Sequence, residues 1–251
     1  MLQTRIIPTL LLRNDCLVKT KQFGKFVYVG DPANTVRIFN ELEVDELIFL
    51  DITASVQRRK PNLKVLSEIA DECFMPLAYG GGIKSLDDAK AVFDIGFEKI
   101  SLNSEIIHNP NLISEIAKCY GSQAVIASID VKKSFFGKNT VRSVSSRNKF
   151  NSTPTVWAKE LERLGAGEIL LTSVDREGTW EGFDLDLVKQ VADAVSIPVI
   201  AHGGAGSIDH IRDVVKIANA SAVALGSMIV FQKKGMGVLV NFPKDLSNLF
   251  E

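Results

Sequence analysis

Cysteine is scarce in this 251-residue chain, and Cys16, Cys73 and Cys119 lack the close pairing a metal site needs. An odd number of isolated thiols argues against a disulfide framework and fits a reduced compartment. Histidine is as scarce: His108, His202 and His210 are too scattered for a nucleophile–histidine pair with any of those thiols. Charge of one sign is lacking as well. Lysine and arginine total 29 against 30 aspartates and glutamates, interspersed, so no bulk field favours nucleic acid or an anionic membrane. No apolar run approaches the ~20 residues that span a bilayer. The opening MLQTRIIPTL does not have the basic, apolar, then small layout of a signal peptide. These absences lead to the expectation of a cytoplasmic protein with no metal, cofactor, nucleic acid or membrane partner.

What the chain does have is a rhythm. Short β-branched runs (RIIPTLL, ELIFLD, MPLAYG, KISLN, AVIASID, EILLTS, IPVIAHG, SAVALG) alternate with amphipathic segments such as PANTVRIFNEL and SLDDAKAVFDIG. Strands buried on both faces, each followed by a crossover helix, predict a parallel sheet. Eight such units in about 250 residues predict a (β/α)8 TIM barrel, one domain over 1–251, in preference to an open doubly wound sheet. Residues 13–31 and 132–153 interrupt the rhythm as long loops after the first and fifth strands; SFFGKNTVRSV in the second reads as a small hairpin. Long loops after barrel strands usually serve the active face.

The chain also repeats itself. PLAYGGGIKSLDDAK resembles PVIAHGGAGSIDHIR, and DELIFLDIT resembles GEILLTSVD, at offsets between 119 and 123 residues. Two half-barrels, about 1–121 and 122–251, follow. Both halves keep a Gly-Gly pair after the third strand and a small polar tip after the fourth. The second half has Gly203, Gly204, Gly226 and Ser227, where barrels commonly hold phosphate. Symmetry predicts a matching cradle at Gly81, Gly82, Asn103 and Ser104; the plainer alternative is that these glycines only shape tight turns. The halves differ at one strand tip, where Asp130 in the second stands against Leu11 in the first. At the opposite end, Arg5, Glu46, Lys99 and Glu168 open four strands and would meet as a mutually neutralising ring, either a stabilising plug or a gate.

RIIP, VGDP, DELIFLDITAS, GGGI, GSQAV, GAGEILLTSVDREGT and GGAG resemble the HisF family, the cyclase subunit of imidazole glycerol phosphate synthase, over nearly the whole length. The resemblance implies a barrel whose lower face docks a glutaminase subunit (HisH-like). Ammonia would pass through a charged gate, matched by Arg5, Glu46, Lys99 and Glu168, to a phosphorylated small-molecule ligand at the top. The family ligand is a bisphosphorylated ribulosyl-formimino aminoimidazole carboxamide nucleotide. The resemblance further implies a catalytic aspartate pair at the ends of strands one and five. Asp130 matches one member and Leu11 replaces the other, which cannot carry a proton. Lys19, Asp51, Thr172 and Asp175 match substrate-pocket positions, and Glu177 is placed in the same pocket where the family has an aspartate; Thr20 and His202 stand where the family has glycine and a small residue.

Kept conduit residues with half the proton machinery gone resemble paralogues of surface-sugar biosynthesis, which supply ammonia to a separate sugar amidotransferase. The expectation is such a subunit. The alternatives are an ordinary cyclase with another group replacing the missing aspartate, a non-catalytic scaffold binding a phosphorylated effector, and a related half-barrel isomerase.

Overall fold

The computed structural model describes residues 4–134, 137–143, 150 and 152–243. Eleven strands are β1 (Arg5–Arg13), β2 (Cys16–Thr20), β3 (Phe26–Gly30), β4 (Leu47–Asp51), β5 (Leu77–Gly80), β6 (Lys99–Leu102), β7 (Val125–Lys133), β8 (Asn139–Arg142), β9 (Glu168–Ser173), β10 (Val199–His202) and β11 (Ala222–Leu225). The helices are α1 (Pro32–Glu41), α2 (Leu63–Asp71), α3 (Leu86–Phe93), α4 (Asn111–Tyr120), α5 (Pro154–Arg163), α6 (Leu185–Ala192), α7 (Ile208–Lys216) and α8 (Ser227–Val230).

Strands β1, β4, β5, β6, β7, β9, β10 and β11 pair in parallel in that order. A β11–β1 ladder, Arg5 opposite Ala222 through Pro8 opposite Leu225, closes the barrel. Closure leaves no exposed barrel edge. Inside lies a small apolar plug from alternating inward positions, including Ile7, Ile48, Ile126, Leu170 and Ile200. The larger core lies between barrel and helices, where Phe39, Phe49 and Tyr79 are almost fully covered. Each buried aliphatic or aromatic side chain there contributes roughly 1.5–3 kcal/mol.

The helices start where the sequence supplies caps. Asp31, Ser85, Thr153, Asp184 and Ser207 each accept a hydrogen bond from a first-turn N–H, and Pro32 and Pro154 follow two of them. Ser85 and Ser207 do so at equivalent points of the two repeats.

The segment 13–31, expected as a loop, is a β-ribbon. β2 folds back antiparallel on β1 and β3 on β2. Asn14 and Asp15, with φ of 48° and 63°, make the tight turn, and Leu17 and Val18 are buried. In the second long loop, β8 pairs antiparallel with β7 from Asp130 opposite Arg142 to Lys133 opposite Asn139. Phe135 and Phe136 of the expected hairpin turn lie outside the described residues.

Candidate functional site

At the lower end of the barrel the four charged residues form a closed ring. Arg5 Nη1 lies 2.8 Å from Glu46 and Nη2 2.8 Å from Glu168. Lys99 Nζ lies 3.0 Å from Glu46 and 3.3 Å from Glu168. Each cation touches both acids and each acid both cations. Burial, which would lower the Arg5 pKa, is outweighed by Glu168 and Glu46, so it is raised. A ring satisfied all round carries little desolvation debt, while removing one member leaves an unpaired partner in a half-buried place.

At the upper end the strand tips surround a cavity of about 340 Å³. Leu11, Asp51, Asp130, Thr172, Glu177 and His202 border it, with Gly81, Gly82, Asn103 and Ser104 on one side. A second cavity of about 20 Å³ lies across the mouth, bordered by Lys19, Gly203, Gly204, Gly226 and Ser227. Leu11, Glu177 and His202 border both and form the wall between them. The two glycine cradles thus lie on opposite sides of one mouth, and Leu11 faces that mouth from β1.

The glycines divide into two kinds. Gly81, Gly82, Gly203 and Gly204 all have positive φ, and a Cβ on any of them would collide with backbone; on Gly204 it would lie 2.1 Å from the Gly182 carbonyl oxygen. Turn geometry accounts for these four without a ligand. Gly226 is different: its φ is −108°, and a Cβ would meet only side chains, the Lys19 ammonium at 3.3 Å first. A Cβ on Gly226 would narrow the small cavity beside Lys19 and His202.

Asp130 and its neighbours form the polar heart of the mouth. Asn103 Nδ2 donates to Asp130 Oδ2 at 2.8 Å. Burial raises the Asp130 pKa to about 7; hydrogen bonds from Asn103 and Thr172 pull the other way, and Glu177 adds repulsion. Lys19, wholly enclosed, donates to the Thr9 carbonyl, and burial lowers its pKa to about 7 against the attraction of Glu177. Burial, reinforced by the Lys19 charge, lowers the His202 pKa to about 3.

The remaining pocket residues have structural work. Asp51 Oδ1 accepts from the Thr53 and Ala54 N–H groups and the Thr53 hydroxyl, and Oδ2 binds Arg59. Its carboxylate holds the loop after β4. Asp175 borders neither cavity: Oδ2 accepts from the Lys133 N–H at 2.7 Å, and its carbonyl accepts from the Gln22 side chain. It ties three loops together. Asp15 is held at the rim by Asn62, 2.8 Å away.

Three features were not read from the sequence. Arg13 borders the large cavity with its guanidinium 3.6 Å from the Phe26 ring centroid, a cation–π contact that depends on the unexpected β-ribbon. Glu177 clasps that ribbon through Thr20 and the Phe23 N–H. His202 contacts Thr172. The sequence singled out Thr20, Glu177 and His202 as departures from the family pattern, without a signal for the contacts among them. Among the described residues no cluster of histidine, cysteine and acidic side chains could hold a metal, and no helix is long and apolar enough to cross a membrane.

The fold and this site define a (β/α)8 barrel with paired glycine turns around a cavity at one end and an ion ring at the other. The family described as "Histidine biosynthesis protein" matches residues 5–234. Two relatives carry the printed name "Putative imidazole glycerol phosphate synthase subunit": hisF2 of Pseudomonas aeruginosa is 48% identical over 97% of both chains, and hisF3 of Vibrio vulnificus is 42% identical over 97% of this chain and 94% of its own. "Imidazole glycerol phosphate synthase subunit HisF" of Methanococcus vannielii is 38% identical over 93% of both. The chain belongs to the HisF family.

Proposed function

We propose that this HisF-type subunit works in the cytoplasm with a glutaminase partner docked on its lower face, takes ammonia in through the Arg5–Glu46–Lys99–Glu168 ring, and binds a phosphorylated ligand at its mouth. The closed ring carries the reading. Two acids and two bases that meet at the strand beginnings and neutralise one another support a gate suited to a small neutral molecule rather than to free ions. Gly226, kept small beside the Lys19 ammonium, supports an anion site above it.

The finer reading is a paralogue that supplies ammonia for amidation of a surface sugar by a separate enzyme, with weak or absent cyclase activity. Leu11 supports it, since the family aspartate pair is incomplete and loss of one acid–base group costs ~10²–10⁴ in rate. The names hisF2 and hisF3 on relatives at 48% and 42% identity agree with a second gene copy. The test is turnover of the bisphosphorylated nucleotide with ammonium salt. Little or none, rising on Leu11→Asp, is expected; turnover at the rate of an aspartate-paired cyclase overturns the paralogue reading.

One observation favours the ordinary cyclase as a second reading. Asp130 and the duplicated glycine turns share the mouth with a further titratable ring, His202, on the same wall as Leu11.

A further inference from the structure

Leu11 presents a hydrocarbon to the mouth, yet beside it the wall is completed by an imidazole. His202 ends β10, faces inward and borders both cavities. Its Nδ1 lies 3.1 Å from Thr172 Oγ1. Thr172 stands directly opposite Asp130 in the β7–β9 ladder, and its hydroxyl favours the ionised form of the Asp130 carboxyl. Asn103 completes the sequence at 2.8 Å. Four side chains at the tips of four successive barrel strands therefore stand in one polar row, two hydrogen-bonded pairs side by side: Asn103 with Asp130, and Thr172 with His202.

The row fixes what each end can do. When Asp130 is ionised, the Thr172 hydroxyl donates to it, Nδ1–H of His202 donates to the Thr172 oxygen, and Nε2 keeps its lone pair. That nitrogen lies on the small-cavity side, 3.8 Å from where a Cβ on Gly226 would sit, and no hydrogen bond to it exists among the described residues. A core histidine held for structure alone usually spends both nitrogens on protein partners. The other charged groups facing the ring are Lys19 from β2, engaged with the Thr9 carbonyl, and Glu177 from the loop after β9, engaged with Thr20 and Phe23. The environments of the two ends diverge: the carboxyl is held toward its protonated form and the ring toward its neutral form, the arrangement that separates an acid from a base.

We propose that His202 is the second proton-transfer group of this mouth, paired with Asp130 through Thr172, and that it acts on a phosphorylated ligand whose carbonyl carbon takes up ammonia. The proposal rests on the reading that ammonia and a phosphorylated ligand meet at the mouth, and it names the residues on which residual turnover runs. As ammonia adds, the C–N bond forms and the carbonyl π pair moves to oxygen. The oxygen takes the Asp130 proton, and the nitrogen gives one proton to Nε2 of His202, leaving a neutral carbinolamine. The Nδ1 proton then passes through the Thr172 hydroxyl to Asp130, which recharges the acid and leaves His202 neutral as the Nε2–H tautomer; proton exchange of the ring with water restores Nδ1–H and frees Nε2 for the next cycle.

The test is ammonium-dependent turnover of the bisphosphorylated ribulosyl-formimino nucleotide by the intact barrel, with Asp130→Asn as the baseline. Wild type is expected to exceed that baseline by about tenfold or more, and His202→Gln to fall to it. Imidazole in solution should restore His202→Ala but not Asp130→Asn, a rescue that a purely structural histidine would not show. Leu11→Asp should restore turnover in the His202→Gln background, and Thr172→Val should lower it while the barrel still melts cooperatively. Wild type no faster than Asp130→Asn, or His202→Gln as fast as wild type, overturns the proposal. Neither outcome touches ammonia passage, which is read separately as glutamine-driven against ammonium-driven nitrogen transfer.

Discussion

The Thr20 hydroxyl donates to Glu177 Oε1 at 3.0 Å, joining positions 157 residues apart. The Phe23 N–H donates to the other oxygen at 3.1 Å, and the Gln22 N–H to the Glu177 carbonyl at 2.9 Å. One buried carboxylate thus holds the β2–β3 ribbon down over the mouth. Lys19, on the same ribbon, is thereby delivered to the small cavity.

Thr20→Val should loosen this clasp. It keeps the β-branched shape but strands a buried carboxylate oxygen, at a cost of about 1–3 kcal/mol. Amide exchange across residues 16–30 should accelerate while the β10–β11 ladder stays protected. Unchanged exchange in the ribbon would contradict the clasp.

Asp130 makes stability pH-dependent with an unusual sign. Its pKa in the fold, about 7, is above the ordinary aspartate value near 3.8, so the native state binds more protons than the unfolded state between the two. Asp130 is therefore expected to destabilise the fold progressively as pH rises from about 4 to 7. Asp130→Asn should be more stable than wild type at pH 8, with the advantage fading toward pH 4. Denaturant melts at several pH values check this, and a gain independent of pH would refute it.

Leu11→Asp carries the opposite balance. A further carboxylate would join Asp51, Asp130 and Glu177 around one mouth, so stability should fall by roughly 1–3 kcal/mol while cyclase turnover rises. A variant that gains neither turnover nor instability would mean that position 11 does not face the reacting space.

Gly226→Ala separates ligand space from turn geometry. A Cβ there would meet the Lys19 ammonium at 3.3 Å, and that side chain has only to give by a few tenths of an ångström, so the melting point should stay within a few degrees, whereas binding of inorganic phosphate should weaken about tenfold or more. Gly204→Ala should instead lose the fold of its loop, because its Cβ would overlap the Gly182 carbonyl. Equal phosphate affinity in Gly226→Ala and wild type would remove the second cradle.

The barrel itself was legible because its strands are buried on both faces and punctuated regularly. The repeat placed the paired glycine turns and showed Leu11 against Asp130. The β2–β3 ribbon was not legible: Asn14–Asp15 is a weak turn signal, and β3 leaves Phe26, Val27 and Tyr28 exposed, so its pattern lacks a buried face. Nor was the convergence of Thr20, Glu177 and His202 around Leu11, since contacts between side chains so far apart in sequence exist only in three dimensions. Asp51 shows the reverse case. It reads as a pocket acid, yet its oxygens are occupied by its own loop and Arg59.

The conduit is the central claim, and Lys99 tests it most directly. With the glutaminase bound, nitrogen transfer is measured twice, from glutamine and from added ammonium, for wild type and Lys99→Met. The ring should lose its seal, so that glutamine-driven transfer drops about tenfold while ammonium-driven transfer stays within about twofold. Equal loss from both sources, or no loss from glutamine in a variant that still binds its partner, would contradict passage through the ring.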